Sequence, residues 1–193
     1  MSNFFSMLFR MKYIDRWSLM RNSRPETLTE HAMETAVLAH ALALIGNTRC
    51  KKNYNADRAA VMGLFHDAHE ILTGDMPTPV KYQNSEICHA FKGVEAAANQ
   101  DLLSMLPEDL REHYRAPVEE DDQELKPLIK AADKLSALIK CIEERKAGNG
   151  EFASAERSVL EAVRQTKLEE AEIFIREFLP AFERTLDEMR QNS

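Results

Sequence analysis

The chain has 193 residues, 30% of them charged and 44% hydrophobic, with a formal net charge of −7. That length fits one domain able to bury its own core, and 6 Gly with 7 Pro are too few for a many-stranded barrel, a collagen-like chain or a disordered one. The negative balance argues against a surface that tracks nucleic-acid phosphates, and no run approaches the roughly 18 apolar residues of a membrane span.

Apolar residues recur at helical spacing nearly throughout. Phe4, Leu8, Met11 and Ile14 predict a first helix over about 3–14, followed by a polar loop from Arg16 to Pro25 that carries Trp17. Thr27 and Glu30 form a capping-box pattern and open a helix to about Gly46. Asp57 reads as the N-cap of a third helix, Arg58 to Thr73, stopped by Gly74. The prolines of Gly74–Pro79 predict a non-helical stretch. A long helix follows over about 84–106, ended by Pro107, and a short one over 108–115, ended before Pro117. The acidic residues 119–122 read as a solvated loop. Leu125 to Lys146 is periodic, with Pro127 tolerated in its first turn. Two further helices are expected over about 151–164 and 168–190, the second kinked at Pro180. The fold class is therefore all-α: one domain over 1–193, with additional C-terminal helices at about 151–190.

The cysteines Cys50, Cys88 and Cys141 form no Cys-x-x-Cys pair, so neither a disulfide framework nor a thiolate zinc site is expected. Arg10 and Lys12 interrupt the apolar N-terminus before a signal-peptide core can form, and a cytoplasmic location is expected.

The chemistry concentrates in a few polar residues set in apolar surroundings. His66-Asp67 follows Val61, Met62, Leu64 and Phe65, where polar groups without partners would cost several kcal/mol. Glu70 rises one turn above that pair. His31 lies in the first turn of the second helix, and Asp133 interrupts the apolar pattern Leu128-Ile129…Leu135. Together His31, His66, Asp67 and Asp133 offer two imidazoles and two carboxylates from three helices. Such a mixed set suits Mn, Co, Fe, Ni or Zn rather than Mg or Ca. His69 reads as a residue behind the site or at the surface, and His40, His89 and His113 as structural or exposed.

The pattern His31…His66-Asp67…Asp133 resembles the signature of HD-domain metal-dependent phosphohydrolases. Arg16-Trp17-Ser-Leu-Met-Arg21-Asn, Thr29-Glu30-His31, the run from His66 through Gly74-Asp75-Met76-Pro77-Thr78 to Tyr82, and Lys130-Ala-Ala-Asp133-Lys-Leu resemble the bacterial HD-domain 5′-deoxynucleotidases of the YfbR type over nearly the whole chain. The resemblance implies a single HD-domain helical bundle, its metal core at about 28–140, that removes the 5′-phosphate from 2′-deoxyribonucleoside 5′-monophosphates. It implies one divalent metal ion (Co, Mn, Fe, Ni, Zn or Cu) held by His31, His66, Asp67 and Asp133, and a homodimer. By the same match Glu70 is the carboxylate that activates water, Arg16 orients the phosphate, and Trp17 closes against the sugar. Asp75, Met76, Pro77 and Thr78 form the substrate-contacting turn, with Asp75 also in the catalytic set. His31, Asp67 and Asp133 border the substrate. The residues leave alternatives open: Trp17 as a core anchor, Arg16 as a surface charge, and Asp133 paired with Lys130 or Lys134. At the level of function the alternatives are an HD phosphohydrolase or phosphodiesterase acting on a signalling nucleotide, and a non-catalytic metal-binding helical module.

Overall fold

The computed structural model describes residues 1–81 and 83–190; Tyr82 of the motif lies outside them. Among the described residues there are helices and turns, and one isolated bridge between Asp15 and Thr27. The expected all-α class holds. Helix α1, Phe4–Leu8, tightens into a 3₁₀ turn, Phe9–Tyr13, with Phe4 and Met11 buried as their spacing predicts. Helix α2, Leu28–Arg49, starts with the full capping box: Thr27 Oγ1 accepts the Glu30 amide at 3.3 Å, and a Glu30 carboxylate oxygen accepts the Thr27 amide at 2.8 Å. It runs past Gly46, whose missing side chain admits the Tyr54 ring; a Cβ there would lie 2.9 Å from it.

Several boundaries depart from expectation. Helix α3 is Ala56–Phe65, and its cap is Asn55, whose side chain accepts the Arg58 amide at 3.0 Å; Asp57 sits inside the first turn. Rather than continuing to Thr73, the chain turns through residues 66–69 and resumes as the short helix α4, Glu70–Thr73, ended by Gly74 at φ 74°. Inside the stretch read as non-helical, Thr78–Lys81 makes one helical turn, α5. Pro79 falls near its start, where a missing N–H removes no helical bond. Helix α6, Ser85–Ser104, is capped by Asn84, and helix α7, Glu108–Val118, contains Pro117 rather than stopping before it. Burial of Val118 with Phe4, Leu102 and Leu106 outweighs the one backbone bond that a proline in the last turn forfeits. Helix α8, Lys126–Lys146, has Pro127 in its first turn as expected. After a 3₁₀ turn at Gly150–Phe152 come α9, Ala153–Arg164, and α10, Glu169–Glu177. The expected kink is a break: Pro180 lies in a 3₁₀ turn, Leu179–Glu183, and α11, Leu186–Arg190, is separate.

The core lies between α2 and α8, where Leu38 and Leu42 meet Leu128, Leu135, Leu138 and Ile142; Ala59 and Met62 of α3 and Val163 and Phe174 of the C-terminal helices close it. Helices α2 and α3 approach so closely that a Cβ on Gly63 would lie 2.7 Å from the Ala36 Cα. That contact brings the end of α3 to the start of α2.

The loop from Ile14 to Thr27 is tied down at both ends. Its closure is a pair of backbone bonds, Arg16 N–H to the Glu26 carbonyl at 2.9 Å and Leu28 N–H to the Ile14 carbonyl at 2.8 Å. Its far end is held by Glu144 of α8, a buried carboxylate that accepts from Lys140, from the Ser23 amide at 2.8 Å and from Asn149 at 2.9 Å. These donors overcome burial and hold the Glu144 carboxyl well below its ordinary value of 4.5. Breaking such a buried pair from one side leaves an uncompensated charge, so Glu144→Ala should lower unfolding free energy by about 3–5 kcal/mol in urea titrations. Because the folded value is depressed, this stabilisation is complete above about pH 4.5 and is lost as pH falls below it. Glu144→Gln should therefore flatten the acid limb of the stability curve, and an unchanged limb would remove Glu144 from the account.

Candidate metal and active site

The site begins where α3 ends. His66 Nδ1 donates to the Gly63 carbonyl at 2.8 Å, taking the acceptor that the Asp67 amide would use in a continuing helix. The chain then tightens to i to i+3 bonds, Ala68 N–H to the Phe65 carbonyl at 2.9 Å and Glu70 N–H to the Asp67 carbonyl at 3.0 Å. Adjacent helical residues point about 100° apart, yet these two side chains reach one point. His66 Nε2 and Asp67 Oδ2 come within 3.0 Å. The same turn sets His69 and Glu70 within 4.8 Å of Asp67.

His31 faces the pair from α2. Its Nε2 lies 3.2 Å from Asp133 Oδ1 of α8 and 3.5 Å from Asp67 Oδ2, so Asp133 points at His31. The ligand atoms of His31, His66, Asp67 and Asp133 all fall within 4.8 Å of one another, as the sequence reading expects. The tautomers follow from the partners behind each ring. Ser136 donates its hydroxyl hydrogen to Glu34 at 3.0 Å, so its oxygen accepts from His31 Nδ1 at 3.1 Å. A carbonyl behind His66 can only accept. In its neutral form each imidazole therefore presents an Nε2 lone pair inward. His66 Nε2 is buried and makes no hydrogen bond despite its closeness to Asp67. Two inward lone pairs and two carboxylates around one point are a donor set for a divalent cation.

The protein alone leaves the charges unbalanced. Burial disfavours the charged form of His66, yet Asp67, Asp133 and the Gly63 carbonyl outweigh it and push its pKa up to about 9. Burial likewise opposes ionisation of Asp133, but His31 holds it down at about 2. Glu70 is raised to about 9, first by burial and then by Asp67 and Asp75, against the pull of Arg16 and His66. One Glu70 oxygen is buried with no hydrogen-bond partner.

Arg16 lies mostly buried beside Asp67, 3.9 Å from Oδ2, so it is no surface charge, and two of its guanidinium nitrogens make no hydrogen bond. Trp17 is half-buried, its ring 5.3 Å from that of Phe152. It adopts φ 58°, a conformation that costs a non-glycine residue about 1–3 kcal/mol and persists only when its surroundings over-determine it. Its amide donates to Asp75 at 3.2 Å and its indole N–H to Glu26 at 2.8 Å. Asp75 thereby joins the 74–77 segment to the Arg16 loop. Met76 and Pro77 are half-buried beyond it and Thr78 is exposed.

Several groups escape the sequence reading. Ser136 and Glu34 lie three residues after Asp133 and His31, a same-face spacing that could have revealed them. Glu26 is in a loop with no periodicity. His69 is buried rather than at the surface, 3.5 Å from Glu95 of α6, whose carboxylate also meets Lys81 of α5 at 2.6 Å.

A model of the YfbR-like 5′-deoxynucleotidases matches residues 3–182. The chain belongs to this family. A 5′-deoxynucleotidase of Erwinia tasmaniensis is 46% identical over 195 residues, covering 100% of this chain and 98% of that protein. One from Vibrio vulnificus is 46% identical over 190 residues, covering 97% and 98%. Among solved structures, an HD-domain phosphohydrolase of Listeria innocua superposes with a TM-score of 0.80 at 21% identity, covering 93% of this chain and 88% of that one. A cyanophage S-2L HD phosphohydrolase bound to dA and one catalytic Zn²⁺ ion gives a TM-score of 0.68 at 18% identity, covering 93% and 96%. At those identities the structural likeness shows the fold, an all-α HD domain.

Proposed function

We propose that this YfbR-family chain is a metal-dependent 5′-deoxynucleotidase, a phosphoric monoester hydrolase that converts 2′-deoxyribonucleoside 5′-monophosphates to deoxynucleoside and phosphate. The observation that carries the reading is the convergence of His31, His66, Asp67 and Asp133, lone pairs inward, with Glu70 and Arg16 against Asp67. These four residues hold the ion, one per chain, in a single HD domain spanning the chain. An ion held by them would supply Lewis acidity to a water and to a phosphoryl oxygen. Arg16 offers a planar fork of donors to the phosphate, and its unbonded nitrogens are available for it. Glu70 becomes basic once the charge of Asp67 beside it is neutralised. It takes a proton from the attacking water as the new P–O bond forms and the bond to the 5′-oxygen breaks; the leaving oxygen takes up a proton in turn. Asp75 keeps Glu70 company and braces Trp17, while Met76, Pro77 and Thr78 border the nucleoside. We place the enzyme in the cytoplasm, where the free thiols of Cys50, Cys88 and Cys141 stay reduced.

Stripping the metal with a chelator should abolish phosphate release while helical circular dichroism persists, because the α2–α8 core is independent of the cluster. Glu70→Gln should retain the metal, read by elemental analysis, and slow turnover by roughly 10²–10⁴. Full activity in the metal-free protein would overturn the proposal.

Sugar selectivity falls to Trp17. The 5′-phosphate is identical in ribo- and deoxyribonucleotides, so discrimination needs a bulky group near C2′, and Trp17 adjoins the phosphate-binding Arg16. Saturation curves for dAMP and AMP should show Trp17→Ala narrowing the kcat/KM ratio by roughly tenfold, while Arg16→Ala weakens both alike. An unchanged ratio in Trp17→Ala would move selectivity to residues 75–78.

We also assign the homodimer implied by the family resemblance to one face. Met33, Val37 and Leu44 of α2 and Val61 and Leu64 of α3 are exposed and stand at same-face spacing, on helices whose adjacency His40 and Asp57 mark at 3.9 Å. Apolar centres of this kind characterise homodimer interfaces. Sedimentation should give a dimer for the wild type and a monomer for Val37→Glu/Val61→Glu; a dimeric variant would exclude this face.

A further inference from the structure

Glu26 is a buried carboxylate that no step above uses. It lies on a loop, not a helix, and touches three parts of the site at once. Its side-chain Oε2 accepts the Trp17 indole N–H at 2.8 Å. Its main-chain carbonyl accepts the Arg16 amide at 2.9 Å. Its other carboxylate oxygen, buried and without a hydrogen bond, stands 3.7 Å from His31 Nδ1. A carboxylate is buried at a cost unless its partners hold it, and here the one hydrogen bond to its side chain comes from the indole.

We infer that Glu26 is the positioning residue for the sugar wall: it sets the orientation of the Trp17 indole relative to the metal cluster, and through it the preference for deoxyribose. The inference rests on the 5′-deoxynucleotidase reading for its substrate terms. The geometry is that of a three-point mount. Asp75 holds the Trp17 backbone in its left-handed conformation, Phe152 meets the ring, and Glu26 takes the only polar atom of the indole. The first two fix where the residue is. Rotation of the ring about its side-chain bonds is limited by the third, because an aromatic contact tolerates a range of tilts and a hydrogen bond to Nε1–H requires near-linear alignment. Since Glu26 also closes the loop on the Arg16 amide, the phosphate donor and the sugar wall share one anchor.

The chain supplies its own reporter, because Trp17 is its single tryptophan. The experiment compares wild type, Glu26→Ala and Glu26→Gln, all metal-loaded, by saturation kinetics on dAMP and AMP and by emission maximum and anisotropy. Glu26→Ala should narrow the dAMP to AMP ratio of kcat/KM by roughly tenfold, the scale of a misplaced steric wall, chiefly by raising KM for dAMP. Its emission should shift to the red with lower anisotropy. Glu26→Gln retains a carbonyl acceptor and should restore both the ratio and the emission. Glu26→Asp, which keeps the carboxylate but withdraws it by one methylene, should narrow the ratio and redden the emission in the same direction, and it decides the matter if Glu26→Ala does not fold. An unchanged ratio and emission in Glu26→Ala would overturn the inference. So would a Glu26→Gln variant that behaves like Glu26→Ala, since charge and not the hydrogen bond would then matter. A wild type that releases no phosphate from dAMP would refute the nucleotidase reading instead, while the emission comparison would still decide whether Glu26 holds Trp17.

Discussion

One hydrogen bond, from His66 Nδ1 to the Gly63 carbonyl, organises the rest of the site. By occupying that carbonyl it marks the end of α3, and His66 Nε2 meets Asp67 Oδ2 there at 3.0 Å. It also decides which imidazole nitrogen carries the proton, and so leaves Nε2 free to face inward. Gly63 serves twice: its carbonyl is the acceptor, and its lack of a side chain lets α3 lie against α2, which brings His66 within 5.2 Å of His31, ring centre to ring centre. A residue larger than glycine would separate the two imidazoles by displacing a whole helix.

The second organising force is electrostatic. Asp67 and Asp133 converge on two imidazoles, while burial, Asp67 and Asp75 push the Glu70 pKa up to about 9. Buried carboxylates side by side are unfavourable, and their local cations, Arg16 and a protonated His66, offset this only in part. The fold bears that burden because the core between α2 and α8 is apolar and complete without the cluster. The unbonded nitrogens of Arg16 and His66 and the crowded carboxylates of Asp67, Glu70 and Asp133 gather in one region, a distribution usual for functional sites.

The Arg16–Trp17 loop shows how a segment without regular structure is held in place. Backbone bonds close its neck at Glu26 and Ile14, Glu144 clamps its tip to α8, and Asp75 ties it to the segment after α4. The loop is therefore fastened to three separate parts of the chain. This is why a non-glycine residue can sit at φ 58°, and why Glu144, distant in sequence, bears on the loop that carries Arg16.

The sequence by itself determined what depends on local pattern. Helical periodicity, the Thr27–Glu30 capping box and the placing of Pro127 in a first turn are properties of a few neighbouring residues, and they appear where the pattern puts them. The polar residues His31, His66, Asp67 and Asp133 were legible because an apolar helix has no use for them without a partner. Tertiary structure decided what periodicity cannot encode. The break after Phe65 depends on a side chain capturing a backbone carbonyl, and α7 persists through Pro117 because Val118 finds a pocket among residues distant in sequence. Glu26, Ser136 and Glu34 entered the site only when the loop and α8 folded against α2. A loop carboxylate has no periodicity to announce it, and its role exists only once long-range contacts have buried it beside an indole and an imidazole.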